Sequence, residues 1–351
     1  MTAPATGQKK DTQQTMQTLI VTGGAGFIGS NFVRYMLGKY PDYRIMVLDA
    51  LTYAGNLDNL ADVWRNPRFS FFQGDINDGV LVNNLAQNAD AIINFAAESH
   101  NDRAIVDPEA ATRANFNGVQ TLLEAARKHS HSRFHQVSTD EVYGTTDGIF
   151  REGDALEPNQ PYSAAKAGGE LMVRAYHQTF GLPTVVTRGS NTFGPYHYPE
   201  KIIPLFITNL IDDLPIPVYG DGMQVRDWMY VLDHCRGIDL AFHHGEAGEV
   251  YNVGGENDRP NLEVVHLLLK YLDKPESLIA HVKDRPGHDR RYSLDCAKMA
   301  GLGYKPEQGQ FEARLQETVQ WYQSHEDWWR KIKEKRADYQ QFMQQWYADR
   351  K

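Results

Sequence analysis

The sequence predicts an α/β protein: a doubly wound parallel sheet with a smaller, interleaved α/β substrate domain. Three observations predict it. Short apolar, β-branched runs alternate with helical stretches through the first 190 residues. The first such run ends in a glycine cluster that opens a helix. Beyond residue 190 prolines break the regular texture, and one late apolar run returns to the earlier pattern.

Taken in order, residues 1–16 are polar and rich in Gln, Thr and Lys, and are expected to form a disordered tail. Thr18-Leu19-Ile20-Val21 suits a strand buried on both faces. A helix is expected over 27–37 and a second strand over 44–48. Further strands are expected over 69–73, 91–95, 134–138 and 184–188, with helices over 107–128 and 162–180. Pro195, Pro199, Pro204, Pro215 and Pro217 then interrupt the pattern, and Tyr251-Asn252-Val253-Gly254 reads as a late strand rejoining the sheet. The expected division is a sheet domain of 17–190 plus 230–255 and a substrate domain of 191–229 plus 256–351. Trp321, Trp328, Trp329 and Trp346 stand at partly helical spacing, as in an amphipathic helix packed on the body or on a partner.

Composition excludes several function classes. Hydrophobic content of 41% and charged content of 23% over 351 residues describe a globular protein with a normal core. A net charge of −9 argues against a nucleic-acid partner, which clustered Lys and Arg would bind. The cysteines, Cys235 and Cys296, lack any CxxC spacing, so no disulfide framework and no metal site are expected. No apolar run is long enough to span a bilayer, so no membrane partner and a cytoplasmic location are expected.

Thr22-Gly23-Gly24-Ala25-Gly26-Phe27-Ile28-Gly29 places Gly23, Gly26 and Gly29 directly after the first strand. Glycines there permit a tight turn and close approach of a pyrophosphate, and Phe27 and Ile28 start the helix whose N-terminus faces it. Strand before and helix after are both present, as a Rossmann dinucleotide site requires. Asp49 ends the second strand, where a carboxylate accepts from a ribose 2′-hydroxyl and repels the extra phosphate of NADP. NAD is therefore the expected cofactor. Asp75 and Ile76 follow the third strand toward the adenine, and Ala96 and Ala97 follow the fourth beside the cofactor path.

Tyr162 and Lys166 form a Y-x-x-x-K pair opening a helix, which sets both on one face. An ammonium near a phenol favours the phenolate, a base at neutral pH. At the end of the fifth strand stand Thr139, Asp140 and Glu141. The hydroxyl can donate to a substrate oxygen, and two adjacent carboxyl groups can act as acid and base if their environments differ.

These stretches resemble the extended short-chain dehydrogenase/reductase superfamily and, within it, the family of dTDP-glucose 4,6-dehydratases. Ala96-Ala97-Glu98-Ser99-His100, Pro199-Glu200-Lys201-Ile202-Ile203-Pro204 and Asp284-Arg285-Pro286-Gly287-His288-Asp289-Arg290-Arg291-Tyr292 agree as well. The resemblance runs from Gln17 to about Tyr322. The glycine motif and Tyr/Lys pair mark the superfamily, whereas Thr-Asp-Glu is more specific, since related epimerases carry small hydroxyl residues at the two acidic positions. It implies that Tyr162, with Thr139 and Lys166, takes the proton of the sugar 4-hydroxyl during oxidation by NAD. Glu141 then removes the C5 proton, Asp140 protonates the departing C6 hydroxyl, and reduction at C6 leaves a 4-keto-6-deoxy sugar.

The resemblance also implies a nucleotide-diphosphate sugar as partner, held by Ser99, His100, Asn191, Glu200, Lys201, Tyr219, Arg226, Asn261, Arg285 and His288. It further implies a homodimer, for which the helices over 107–128 and 162–180 are candidates. The sequence departs from the family pattern at Asn101, Ala104 and Thr192, where valine, serine and asparagine are usual; Asn101 is expected near the hexose. The alternatives are a UDP-glucose or other nucleotide-hexose 4,6-dehydratase, a UDP-sugar 4-epimerase, and, from another class, a non-catalytic NAD-binding protein.

Overall fold

The computed structural model describes residues 17–307, 310–348 and 350; the tail expected over 1–16 lies outside them. Six strands appear first along the chain: β1 Gln17–Thr22, β2 Tyr43–Asp49, β3 Phe69–Gln73, β4 Ala91–Asn94, β5 Arg133–Thr139 and β6 Thr184–Gly189. The expected late strand forms as Glu249–Val253 and joins the open edge of β6. All neighbours are parallel, and the seven-stranded order is Glu249–Val253, β6, β5, β4, β1, β2, β3. The order reverses between β1 and β4, which leaves a crevice at the carboxyl ends of the strands.

Alternation along β1 divides the core. Leu19 and Val21 face Phe32, Met36, Cys235 and Ile238, on the helices Phe27–Lys39 and Val231–His244. Ile20 faces the opposite layer, with Leu122, Phe134 and Val173, where the helices Gly118–Lys128 and Pro161–Phe180 lie. A strand with both faces covered must be apolar at successive positions, which is why β1 reads as a continuous run.

The helix expected over 107–128 is not continuous. Pro108–Thr112 and Gly118–Lys128 are α-helical, but Arg113–Asn117 between them forms a π turn. That turn carries Asn115, whose amide bridges the backbone of Glu98: its oxygen accepts from Glu98 N at 3.0 Å and its nitrogen donates to Glu98 O at 3.0 Å. Gly169 lies against the Asn115 carbonyl, which a Cβ would meet at 2.4 Å. The irregular turn thus seats the loop after β4 beside the site.

A second core gathers Phe193, Phe206, Trp228, Leu268, Leu315, Tyr322 and Trp329. Around it are two small sheets, Asp258–Pro260 with Val225–Tyr230 and Asn191–Phe193, and Ile216–Tyr219 with Ile279–Val282. The C-terminal tryptophans pack on the body. Trp328 Nε1 donates to Asn59 Oδ1 at 2.8 Å, Trp329 Nε1 to Tyr322 O at 2.9 Å and Trp346 Nε1 to Tyr219 Oη at 2.6 Å.

Candidate active site

A cleft of about 360 Å³ runs along the strand ends, and a smaller cavity of about 130 Å³ adjoins it, with Glu141, Asn191, Glu200 and Lys201 in the wall of both. The glycine turn after β1 forms one end of the cleft. Gly23 has φ +66°, and a Cβ on it would lie 2.6 Å from Ala96 N; on Gly29 it would lie 2.3 Å from Gly23 O. Both therefore need glycine. Gly26 sits at the N-terminus of Phe27–Lys39 with no side-chain cap, so the first amide groups of that helix remain available to an anion.

Asp49 is buried, and its carboxylate accepts from Ala25 N at 2.9 Å and Leu51 N at 2.8 Å. Burial raises it above the usual carboxylate range, against those two donors. Asp75 and the buried Ile76 line the same end; Asp75 accepts from Asn77 N at 2.9 Å and faces Arg113 at 3.6 Å. Phe27, Ile28, Ala96 and Ala97 complete the wall. A narrow turn that admits no Cβ, an uncapped helix start and an acidic residue at the end of β2 suit a dinucleotide.

At the end of β5 the chain enters one tight turn, Asp140–Tyr143. The Thr139 hydroxyl caps it, accepting from Glu141 N at 3.3 Å, and donates to Asp140 Oδ1 at 3.1 Å. Burial first, and the charge of Glu141 second, push Asp140 well above the usual carboxylate range, with Arg226 opposing. The environment of Asp140 therefore favours its neutral form. Glu141 is half-buried, and its Oε2 accepts from Asn101 Nδ2 at 2.6 Å.

Tyr162 and Lys166 occupy the first turns of Pro161–Phe180 and face the cleft. Burial, with Glu141 and Asp140 beside it, raises the Tyr162 phenol, and a hydrogen bond with Thr139 opposes. The sequence-level expectation of a phenol lowered by Lys166 is thus outweighed here by desolvation and two carboxyl groups. Lys166 Nζ donates to Val137 O at 2.7 Å, and burial lowers the ammonium to about 8. Gln160, just before this helix, donates to Gly287 O at 2.7 Å and Asn159 to Asp289 Oδ1 at 2.6 Å. The loop that carries Arg285 and His288 is thereby tied to the start of the Tyr162 helix.

The smaller cavity is cationic. Lys201 Nζ donates to Ser99 O at 2.6 Å; Arg226 donates to the carbonyls of Val225 and Asp289, both at 2.8 Å, and lies over the Tyr292 ring. Burial lowers both. Among the described residues neither forms an ion pair, so positive charge is available to an anion. Asn191 Oδ1, Gln224 Oε1, Trp228 Nε1 and Asn261 Oδ1 line this cavity too, each buried and without a partner among the described residues. Unsatisfied buried polar atoms converging on one cavity mark a place for a polar ligand.

Other expected substrate residues are occupied within the wall. Glu200 is held by Arg103, with Nη2–Oε2 at 2.8 Å, and burial raises its carboxyl to about 7. His100 caps the helix Asn101–Val106, accepting from Asp102 N at 3.2 Å. Arg285 meets Asp102 Oδ1 at 3.2 Å, Tyr219 donates to Asp102 Oδ2 at 2.8 Å, and His288 pairs with Asp284 at 2.6 Å.

Sequence reading missed Asp102, Arg103, Gln224, Trp228 and Tyr347, which support or line these walls. Adjacent opposite charges at 102 and 103 look like an exposed helix surface, and only the fold shows Arg103 stacked between Tyr53 at 4.0 Å and Phe342 at 4.2 Å.

The family model for GDP-mannose 4,6-dehydratase matches residues 20–318. A dTDP-glucose 4,6-dehydratase of Actinoplanes sp. is 50% identical over 318 residues, covering 89% of this chain and 99% of that one. The crystal structure of DesIV, a dTDP-glucose 4,6-dehydratase from Streptomyces venezuelae with NAD and TYD bound, superposes with a TM-score of 0.88. It is 49% identical and covers 90% of this chain and 100% of its own. That of dTDP-glucose 4,6-dehydratase from Bacillus anthracis in complex with NAD gives a TM-score of 0.84 at 46% identity, covering 90% and 99%.

Proposed function

The chain belongs to the GDP-mannose 4,6-dehydratase family, and from that premise we propose that it acts as an NAD-dependent hydro-lyase converting dTDP-glucose to dTDP-4-keto-6-deoxyglucose. The observation that carries this reading is the buried Asp140, its carboxyl pushed up by burial, beside Glu141, where a dinucleotide cleft meets a cavity that holds Lys201 and Arg226 outside ion pairs among the described residues. An enzyme that only oxidised and re-reduced C4 would have no use for a carboxylic acid and a carboxylate side by side.

NAD, when bound, supplies a cationic ring that takes up a hydride from C4 and later returns it to C6. In this reading Gly23, Gly26, Phe27, Ile28, Gly29, Asp49, Asp75, Ile76, Ala96 and Ala97 hold it, with Tyr162 and Lys166 at its reactive end. Tyr162 accepts the proton of the 4-hydroxyl while Thr139 donates to the same oxygen. Its phenol is raised in the ligand-free protein, and positive charge entering the cleft would lower it toward the range of a base. Once C4 is a ketone the C5 proton is acidic, and Glu141 removes it. Asp140 gives its proton to the C6 hydroxyl, which departs as water. Lys201, Arg226 and Arg285 neutralise the diphosphate.

The division into a sheet domain of 17–190 plus 230–255 and a substrate domain of 191–229 plus 256–351 is part of the proposal, as is a cytoplasmic location. No helix among the described residues is long and apolar enough to cross a membrane. A homodimer is proposed through the segments 107–128 and 162–180, where the helices Gly118–Lys128 and Pro161–Phe180 lie side by side and the second exposes Leu171 at 58% and Phe180 at 53%. Sedimentation at micromolar concentration should give twice the mass of the chain; a monomer removes the dimer without touching the activity.

Mass spectrometry tests the activity, with dTDP-glucose, UDP-glucose and the parent protein under catalytic NAD and no reductant. Loss of one water from dTDP-glucose, without net NADH, is the expected result. A product of unchanged mass would overturn it in favour of epimerisation.

A further inference from the structure

Asn101 opens the helix Asn101–Val106 and is 6% exposed. Its Nδ2 donates to Glu141 Oε2 at 2.6 Å, whereas its Oδ1 is buried and has no partner among the described residues. Chemistry decides which way the amide faces. A carboxylate only accepts hydrogen bonds, so the NH₂ end must turn to Glu141 and the carbonyl must turn away. Both residues line the smaller cavity, beside Arg226 and Lys201. Lys201 Nζ donates to Ser99 O and Arg226 to backbone carbonyls, and neither bonds the Asn101 carbonyl. The Asn101 carbonyl is thus an open acceptor in a cavity fit for a sugar nucleotide, and a ligand hydroxyl can satisfy it.

We propose that Asn101 is a positioning and specificity residue: it holds Glu141 by one oxygen and accepts a hydrogen bond from a hexose hydroxyl. The proposal rests on the dehydratase reading above. Tying Oε2 leaves Oε1 as the atom that takes the C5 proton. The hydroxyl involved follows by elimination. In that reading Tyr162 and Thr139 engage the 4-hydroxyl and Asp140 the 6-hydroxyl, so the 2- or the 3-hydroxyl remains for Asn101. One side chain then registers the sugar ring and the base against each other, which is what a proton abstraction from carbon requires.

The test compares the parent protein with Asn101→Val, which removes donor and acceptor, and Asn101→Asp, which keeps the shape and an acceptor but turns a carboxylate toward Glu141. Single turnovers with dTDP-glucose are followed at 340 nm for C4 oxidation, and by mass for water loss and deuterium entry at C5 from D₂O. In Asn101→Val, oxidation should stay within about two-fold while deuterium entry and water loss fall about 10- to 100-fold and KM rises several-fold. Asn101→Asp should keep KM near the parent value and lose elimination. The KM penalty of Asn101→Val should vanish with either the 2-deoxy or the 3-deoxy substrate. Equal slowing of oxidation and elimination, or unchanged elimination and KM, would overturn the proposal. Glu141→Gln, run alongside, separates the failures: if it still eliminates water, the role given to Glu141 is wrong; if it is inactive while Asn101→Val is normal, only the Asn101 inference falls.

Discussion

Lys166 Nζ donates to the carbonyl of Val137 at 2.7 Å, so the ammonium of the Tyr162 helix is anchored to the strand that presents Thr139 two residues later. One turn further along the helix, Glu170 is paired with Arg188 at 2.7 Å; its charge favours the Lys166 ammonium, but burial outweighs it.

The first prediction concerns pH. Burial lowers Lys166 from 10.5 to about 8, so its charge is lost as pH rises through about 8. The kcat/KM profile should fall above that pH, and Lys166→Arg should remove this limb while lowering the rate at pH 7. Because the folded-state value lies below the unfolded one, the unfolded chain binds the extra proton between about 8 and 10.5, and this group should add stability as pH rises across that window. Tm of the parent relative to Lys166→Met, measured from pH 7 to 10, checks the sign.

Asp140→Asn removes the proton held for the leaving hydroxyl but leaves the oxidation groups in place. Turnover should drop by roughly 10²- to 10⁴-fold, with NADH accumulating at 340 nm in the first turnover. Complete loss of that first absorbance change would show that Asp140 is needed before water leaves.

The glycine turn should rank its own substitutions. Gly23→Ala and Gly29→Ala put a Cβ within 2.6 and 2.3 Å of backbone, whereas on Gly26 the nearest atom is Gly23 O at 3.2 Å. Thermal unfolding should show large losses for the first two and a much smaller one for Gly26→Ala. Gly38, inside Phe27–Lys39, has nothing within 4 Å of an added Cβ, so Gly38→Ala should stabilise by about 0.5–1 kcal/mol.

Tyr219 is held from two sides, donating to Asp102 at 2.8 Å and accepting from Trp346 at 2.6 Å, with the Tyr347 ring stacked at 6.3 Å. Trp346→Phe should raise KM for dTDP-glucose several-fold with little change in kcat, since Tyr219 lines the cavity away from the reacting carbons. A fall in kcat at unchanged KM would contradict that placement.

Much of this was legible in residue order. The sheet was visible because strands buried on both faces show as unbroken apolar runs, and the late strand at Glu249–Val253 kept part of that signature in Val250, Tyr251 and Val253. The glycine turn and Tyr162/Lys166 announce themselves through local spacing. The small strands Asn191–Phe193 and Asp258–Pro260 did not, because three residues carry no period. The π turn at Arg113–Asn117 was hidden because its cause, the bridge from Asn115 to Glu98, lies across the fold. The raised phenol of Tyr162 was equally hidden: spacing shows that Lys166 is near, but not how much water is missing.

Residues 101, 141, 219, 285 and 347 meet in one cavity wall although more than half of the chain lies between the first and the last of them. The dinucleotide cleft draws its residues from earlier in the chain, from Gly23 to His234. All of these leave the ribosome ahead of Phe342, Trp346 and Tyr347, which close over Arg103 and Tyr219. The sugar-nucleotide pocket is therefore finished only when residues 339–347 arrive, and a chain cut short before them keeps the residues of its dinucleotide cleft but lacks one wall of the pocket.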